Sequence, residues 1–285
     1  MGRNAFLLII YCLLYNCANY GQLQLIAKLP EKLDENSGII HLKGETVWFI
    51  QDAGNQDKLY QVDFNGKLRN ELQVKNGDNI DWEDLTKDDQ DNVYIGDFGN
   101  NHGKRTALVI YRVPNPEVEK GKKIKAEQIV YRYPEQEQIK AGTPDLTYDA
   151  EALFYRDNFL YIITKDRNVP FTGEARIYKV PAKKGKYTAS FVGNFNTCDQ
   201  MDSCKVTAAA IAPDGKKVVL LGNGKLWIFS NFEGDDFSSG SMKTIDLEVT
   251  TQLEAVCFLD NKTLLLSDEA RAGTGRNLYR FVLEK

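Results

Sequence analysis

Three glutamates stand at the same point of a recurring pattern: Trp82-Glu83-Asp84-Leu85, Ala150-Glu151-Ala152-Leu153 and Leu253-Glu254-Ala255-Val256. Fourteen residues after them lie Asp97, Lys165 and Asp268, and the equal offsets make the three glutamates structurally equivalent. Carboxylates gathered on one axis repel unless protons, water, basic side chains or a cation neutralise them. Ca2+ takes about six to eight oxygen ligands and suits such a ring. Ser37 and Thr207 supply hydroxyls near the same level, although by offset Gly38 and Ala209 align with the glutamates. The expectation is an axial Ca2+ held by Glu83, Glu151, Glu254, Ser37 and Thr207. The competing expectation is a water-filled channel whose glutamates accept hydrogen bonds from backbone amides. The chain has 2 His, His41 and His102, which argues against a His-rich zinc site and leaves a Ser-His-Asp triad little choice.

Polar segments near the same level carry further chemistry. Asp52, Asp97, Arg105, Lys165, Arg167 and Asp268 are placed around one end of the axis. Arginine and lysine there would contact an anionic or polyhydroxylated ligand. Asp52, Asp97 and Asp268 are also candidates for paired carboxylates in glycoside hydrolysis, whose separation would set the stereochemistry. The plainer reading of each is turn chemistry and a solvated rim. Gly96, Gly99 and Gly103 precede no helix, so they make no nucleotide-binding fingerprint. No nucleophile elbow is present. The basic run Lys120-Gly121-Lys122-Lys123-Ile124-Lys125 reads as a solvated connection.

These residues need a scaffold that repeats. The 285 residues are 42% hydrophobic and 27% charged with net charge −4, a balance for a globular chain and not for a generic nucleic-acid binder. Gly, Asp and Asn turns between apolar runs recur at 43–45, 88–92, 157–158, 213–216 and 260–262. After each comes an alternating strand with one aromatic in phase: Tyr60, Tyr111, Tyr178, Trp227 and Tyr279. Their spacings are 51, 67, 49 and 52 residues, and fixed-order repeats of this period indicate a β-propeller. The fold expected is all-β, a five-bladed propeller in one domain spanning 22–285, with about 53 residues per blade and the excess in loops. A six-bladed alternative would hide a blade within 115–145. The last repeat has three strands, and Leu23-Gln24-Leu25-Ile26-Ala27-Lys28-Leu29 is placed to complete it.

The first 21 residues read as a targeting segment. Arg3 precedes an apolar stretch, residues 5–15, too short to span a membrane. Leu14-Tyr15-Asn16-Cys17 is similar to a lipobox with Cys17 as the lipidated residue, and cleavage near Gly21 is the other reading. Either predicts export to the periplasm, the outer membrane surface or the medium, with membrane contact only through a lipid. Cys198 and Cys204 flank a short polar loop and form a plausible disulfide in an oxidising compartment, whereas Cys257 sits in an apolar strand as a small core residue.

The ordered set Asp81-Trp82-Glu83-Asp84-Leu85, Tyr94-Ile95-Gly96-Asp97-Phe98-Gly99-Asn100-Asn101, Ile110-Tyr111-Arg112-Val113-Pro114, Asp149-Ala150-Glu151-Ala152-Leu153 and Thr164-Lys165 resembles a family of exported bacterial β-propellers. That resemblance implies the fold and export and brings no reaction with it. More distantly, the order Ser37, Glu83, Glu151, Thr207, Glu254 is similar to the tunnel of calcium-activated nucleotidases (apyrases), five-bladed propellers with one axial Ca2+. The apyrase loop motifs are not recognisable, so this likeness implies the metal more than nucleotide hydrolysis. Two functions follow as expectations. One is a monomeric binding or scaffold module of the cell envelope, for a small anionic or sugar-like ligand or an envelope protein. The other is a Ca2+-dependent hydrolase of phosphate esters or glycans.

Overall fold

The computed structural model describes residues 20–135 and 146–283. Most of the expected leader, with Cys17, therefore lies outside the described residues, as does 136–145. Strand β1 (Gln24–Lys28) comes first. Blade 1 is β2 (Asn36–Ile40), β3 (Thr46–Gln51), β4 (Lys58–Asp63) and β5 (Leu68–Lys75). Blade 2 follows with β6 (Trp82–Lys87), β7 (Val93–Asp97) and β8 (Leu108–Val113), then β9 (Lys123–Lys125) and β10 (Glu127–Arg132). Blade 3 has β11 (Asp149–Arg156), β12 (Phe159–Lys165), β13 (Glu174–Pro181), β14 (Gly185–Thr188) and β15 (Ser190–Asn196). Blade 4 runs β16 (Val206–Ile211), β17 (Lys217–Gly222), β18 (Lys225–Ser230) and β19 (Ser241–Asp246). Blade 5 is β20 (Leu253–Phe258), β21 (Thr263–Asp268) and β22 (Asn277–Val282).

This is an all-β, five-bladed propeller, and no α-helix occurs among the described residues. The innermost strands β2, β6, β11, β16 and β20 touch in a closed ring. Closure is made as the sequence predicts: β1 pairs antiparallel with β22, Leu25 opposite Tyr279 and Lys28 opposite Asn277. The turns follow local chemistry. Asp157 and Asn158, both at positive φ, form the two-residue hairpin between β11 and β12. Asp88 accepts from the backbone N–H of Gln90 and Asn92, and Asp260 from Lys262 and Thr263, which fixes those turns.

The residues beyond a minimal blade are not all loop. β9 leaves blade 2 and pairs in parallel with the outer strand β5 of blade 1. β14 leaves blade 3 and pairs in parallel with the outer strand β10 of blade 2. Each covers an edge that would otherwise offer unpaired backbone groups. The basic run is therefore strand β9 in part, with Ile124 buried beneath it, and 123–132 completes blades 1 and 2 without starting a sixth.

The core lies between blades, in layers. One apolar cluster joins blades 5, 1 and 2; others fill the gaps between blades 2 and 3, 3 and 4, and 4 and 5. The in-phase aromatics are buried anchors of these layers, and Trp82 packs on Tyr111 at 6.2 Å between ring centroids. Full burial of such a side chain contributes about 2–3 kcal/mol. Cys198 and Cys204 form a disulfide with Cα atoms 5.5 Å apart, and Cys257 is a free, buried thiol.

Each innermost strand carries a one-residue bulge near its start. The pairing skips between Asn36 and Ile39, Trp82 and Asp84, Ala150 and Ala152, Val206 and Ala208, and Leu253 and Ala255. The residues after Asn36, Trp82, Ala150, Val206 and Leu253 are Ser37, Glu83, Glu151, Thr207 and Glu254. This corrects the offset count, which favoured Gly38 and Ala209: Ser37 and Thr207 are the true equivalents of the glutamates. Blade 3 is also one residue shorter at its hairpin, so Thr164, not Lys165, matches Asp97 and Asp268 in register.

The position after the bulge residue is Gly38, Ala152, Ala208 and Ala255 in four blades and Asp84 in blade 2. A Cβ on Gly38 would come within 2.7 Å of the Leu85 nitrogen, so only glycine fits there. The Asp84 carboxylate occupies the space left by these small residues. It is 0% exposed and accepts from the N–H of Leu85 (2.8 Å), of Leu153 in blade 3 (2.8 Å) and of Ala209 in blade 4 (3.1 Å). Burial pushes its pKa well up, partly offset by these three donors. One side chain thus ties three blades together.

Candidate functional site

The bulge puts two rings of side chains at the mouth where the innermost strands begin. The inner ring is Ser37, Glu83, Glu151, Thr207 and Glu254. Two residues earlier in each blade stands an outer ring: Glu35, Asp81, Asp149, Lys205 and Gln252. The inner hydroxyls serve the scaffold. Ser37 donates to the Glu83 carbonyl, and Thr207 to the Leu253 carbonyl at 2.8 Å, each stitching its blade to the next.

Around blades 1 and 2 the mouth is acidic, with no cationic partner at salt-bridge distance among the described residues. Oxygens of Asp52, Asp81 and Glu83 lie within 4.8 Å of one another. Glu83 is 5% exposed, and its carboxylate accepts no side-chain or backbone hydrogen bond among the described residues. None of the three joins a salt bridge there. Burial, then repulsion from Glu151, Asp52 and Asp81, pushes Glu83 well above the ordinary range. Burial, then Asp52 and Asp149, pushes Asp81 up to about 6, and burial raises Asp52 as well. The backbone holds this group in place: Asp81 N–H donates to Asp97 (2.9 Å), and Gly99 N–H to the Asp81 carbonyl (3.2 Å). Gly99 abuts the acids so closely that a Cβ would lie 2.1 Å from Glu83 Oε1 and 2.5 Å from Asp81 Oδ2.

Blade 3 presents the opposite arrangement. Lys165 Nζ sits 2.8 Å from Glu151 Oε1, and Arg167 Nη2 lies 3.0 Å from the same oxygen. Arg167 Nε also meets Asp149, which in turn accepts from the Asn100 N–H at 2.6 Å. Burial would strip the Lys165 proton, but Glu151 and then Glu254 outweigh it and hold the ammonium charged. Burial and Glu151 push Asp149 up to about 6 against the pull of Arg167. In blade 5, burial raises Glu254 despite Lys165, and burial with Glu254 pushes Glu269 up to about 9.

The remaining expected residues have structural work. Arg105 lies 3.1 Å from Asp97 and donates to the carbonyls of Asp97 and Gly99. Asp97 and Asp268 are fully buried; Asp268 accepts from the Tyr279 hydroxyl (2.8 Å) and the Asn277 N–H (2.7 Å), and the Tyr111 hydroxyl approaches Asp97 at 3.4 Å. The structure therefore gathers Asp52, Glu83, Glu151, Glu254, Lys165 and Arg167 at the mouth, with Arg105, Asp97 and Asp268 behind them. Asp81, Asp149 and Glu269 join the site without having been singled out from the sequence. An Asp-x-Glu repeat, 81/83 and 149/151, was the available signal for two of them.

The fold and the mouth define a five-bladed β-propeller with an acid-lined entrance. No protein-family model matches the chain, and no curated protein is similar to it in sequence. Among solved structures, the chain is similar to the PQQ-bound aldose sugar dehydrogenase of Streptomyces coelicolor. That pair has a TM-score of 0.53 and 13% identity, over 92% of this chain and 98% of the dehydrogenase. A glucose dehydrogenase superposes with a TM-score of 0.50 and 9% identity, over 90% of this chain and 98% of its own. At such identities the likeness is one of fold.

Proposed function

We propose that this chain is an exported binding propeller whose mouth takes a divalent cation, Ca2+, between Asp52, Asp81 and Glu83. A small anionic or sugar-like ligand would then be held beside Lys165 and Arg167. The observation that carries the reading is the contrast within the mouth. Glu151 has two cationic partners at hydrogen-bond distance, whereas Asp52, Asp81 and Glu83 have none among the described residues and crowd within 4.8 Å. The donor set fits a hard cation: it is all oxygen, partly buried and held by backbone. Bound Ca2+ would supply positive charge for an oxyanion or sugar hydroxyl. The expected axial set is thereby narrowed, with Glu83 kept and Glu151 assigned to Lys165 and Arg167. The resemblance to exported bacterial propellers and the Cys198–Cys204 pair support an oxidising compartment outside the cytoplasm. Lipidation at Cys17 and a monomeric state belong to the same proposal.

Calorimetric titration of the purified protein with CaCl2 tests it. One site lost in Asp81→Asn is expected; absence of any binding by wild-type protein would overturn the reading. A second reading, Ca2+-dependent hydrolysis, is favoured by Glu269, outside the cation's ligand set, which burial and Glu254 push up to about 9 so that it stays protonated near neutral pH as a general acid. Turnover of phosphate-ester or glycoside substrates that stops in Glu269→Gln would select it.

A further inference from the structure

The far end of the tunnel has its own cavity. We propose that it is a second ligand site, for a small organic cation with an apolar body. All five innermost strands end there, and their ends enclose about 570 Å³. Small-ligand sites span about 300–1,000 Å³ and join an apolar lining to a few polar groups. Its apolar lining is the partly exposed Leu42, Tyr155, Ile211 and Leu259, whereas Leu85, Ala209, Val256 and Cys257 at its base are buried in the layers between blades. The Asp84 carboxylate is wedged into the ring of innermost strands at the residue before Leu85, between this base and the acidic mouth.

The rim decides the ligand's charge. Lys87 is matched by Asp91 at 2.8 Å, and Arg156 by Asp157 at 3.3 Å. Asp89 and Asp214 line the same cavity and join no ion pair among the described residues. The rim is thus left with surplus negative charge above an apolar, partly aromatic chamber. A cation can neutralise that rim and lie against the Tyr155 ring, and an anion would be repelled.

Three probes with one ring and different charge test the site: phenethylamine, 2-phenylethanol and phenylacetate, titrated at pH 7 with saturation-transfer NMR. Phenethylamine is expected to bind at least about tenfold more tightly than phenylacetate. The double variant Asp89→Asn/Asp214→Asn should lose most of that discrimination while keeping the wild-type melting temperature. Ala210→Leu, which adds bulk at the cavity lining, should weaken phenethylamine and phenylethanol together. Equal binding of the amine and the acid, no amine binding up to about 10 mM, or unchanged binding in both variants would overturn the proposal. CaCl2 and Asp81→Asn should leave phenethylamine binding unaltered, which separates this site from the mouth.

Discussion

Blades 2 and 4 share one backbone plan and differ at nearly every position that faces the axis or the mouth. Blade 2 places Glu83 in the bulge, Asp84 after it, Asp97 at the end of its second strand and Tyr111 in the third. Blade 4 places Thr207, Ala208, Gly222 and Trp227 at the matching points. The strands of blade 2 are joined by the long loop 98–107, those of blade 4 by Asn223-Gly224 alone. Where blade 2 has an acid and a tyrosine, blade 4 lets its larger indole fill the space: a Cβ on Gly222 would lie 2.8 Å from the Trp227 ring. The same frame can be filled with charge or with hydrocarbon, and the acidic cluster of the mouth lies in the blades that carry charge.

Asp84→Ala gives blade 2 the residue of blade 4. It strips acceptors from three buried N–H groups in three blades, and an unfolding free-energy loss of about 4 kcal/mol is expected by urea denaturation. A loss under about 1 kcal/mol would show that the tie between the three blades is dispensable. Gly99→Ala should displace Glu83 and Asp81 and weaken Ca2+ at least about tenfold by calorimetry. Its counterpart in blade 4, Gly222→Ala, should lower stability through Trp227 and leave Ca2+ affinity intact. Equal effects on Ca2+ would erase the distinction between the blades.

Protonation probes the acidic side directly. Asp81 and Asp149 sit near 6 in the folded protein and near 4 when unfolded, so the folded state holds more protons across that window. Stability without metal should therefore fall as pH rises from about 4 to above 6, with a drop in melting temperature of at least about 3 °C. CaCl2 should restore more of it at pH 8 than at pH 5. A melting temperature that rises steadily over this range would contradict the crowding of the acids. The smallest effect belongs to blade 4: Thr207→Val removes one hydrogen bond to Leu253 and should cost about 1 kcal/mol with Ca2+ affinity unchanged.

The blade count and the closing strand were legible because they depend on local repetition: turn residues, alternation and one phased aromatic; the disulfide was legible because its two cysteines flank one short loop. What was hidden depended on register and on distant pairing. Composition does not signal the residue at which a second strand ends: the matches of Asp97 are Gln51 and Gly222, the latter one residue further from its bulge than in blade 2, so the offset count put Gly38 and Ala209 in place of Ser37 and Thr207. β9 and β14 find partners in the preceding blade, and their lysine-rich sequences gave no sign of it. Asp84 occurs once where other blades have Gly or Ala, so no repeat pointed to it. At the mouth, the sequence brought the right charges to one face, but which acid met which base depended on side-chain reach across blades.

The five bulges carry a consequence for how such a molecule can change. A bulge residue opposes no partner across the ladder, so replacing it leaves the strand's inward and outward alternation untouched. Ser, Thr and Glu already occupy this slot within one chain. Each blade therefore contributes an editable letter at the entrance, and recognition can be rewritten there one blade at a time while the layers between blades stay as they are.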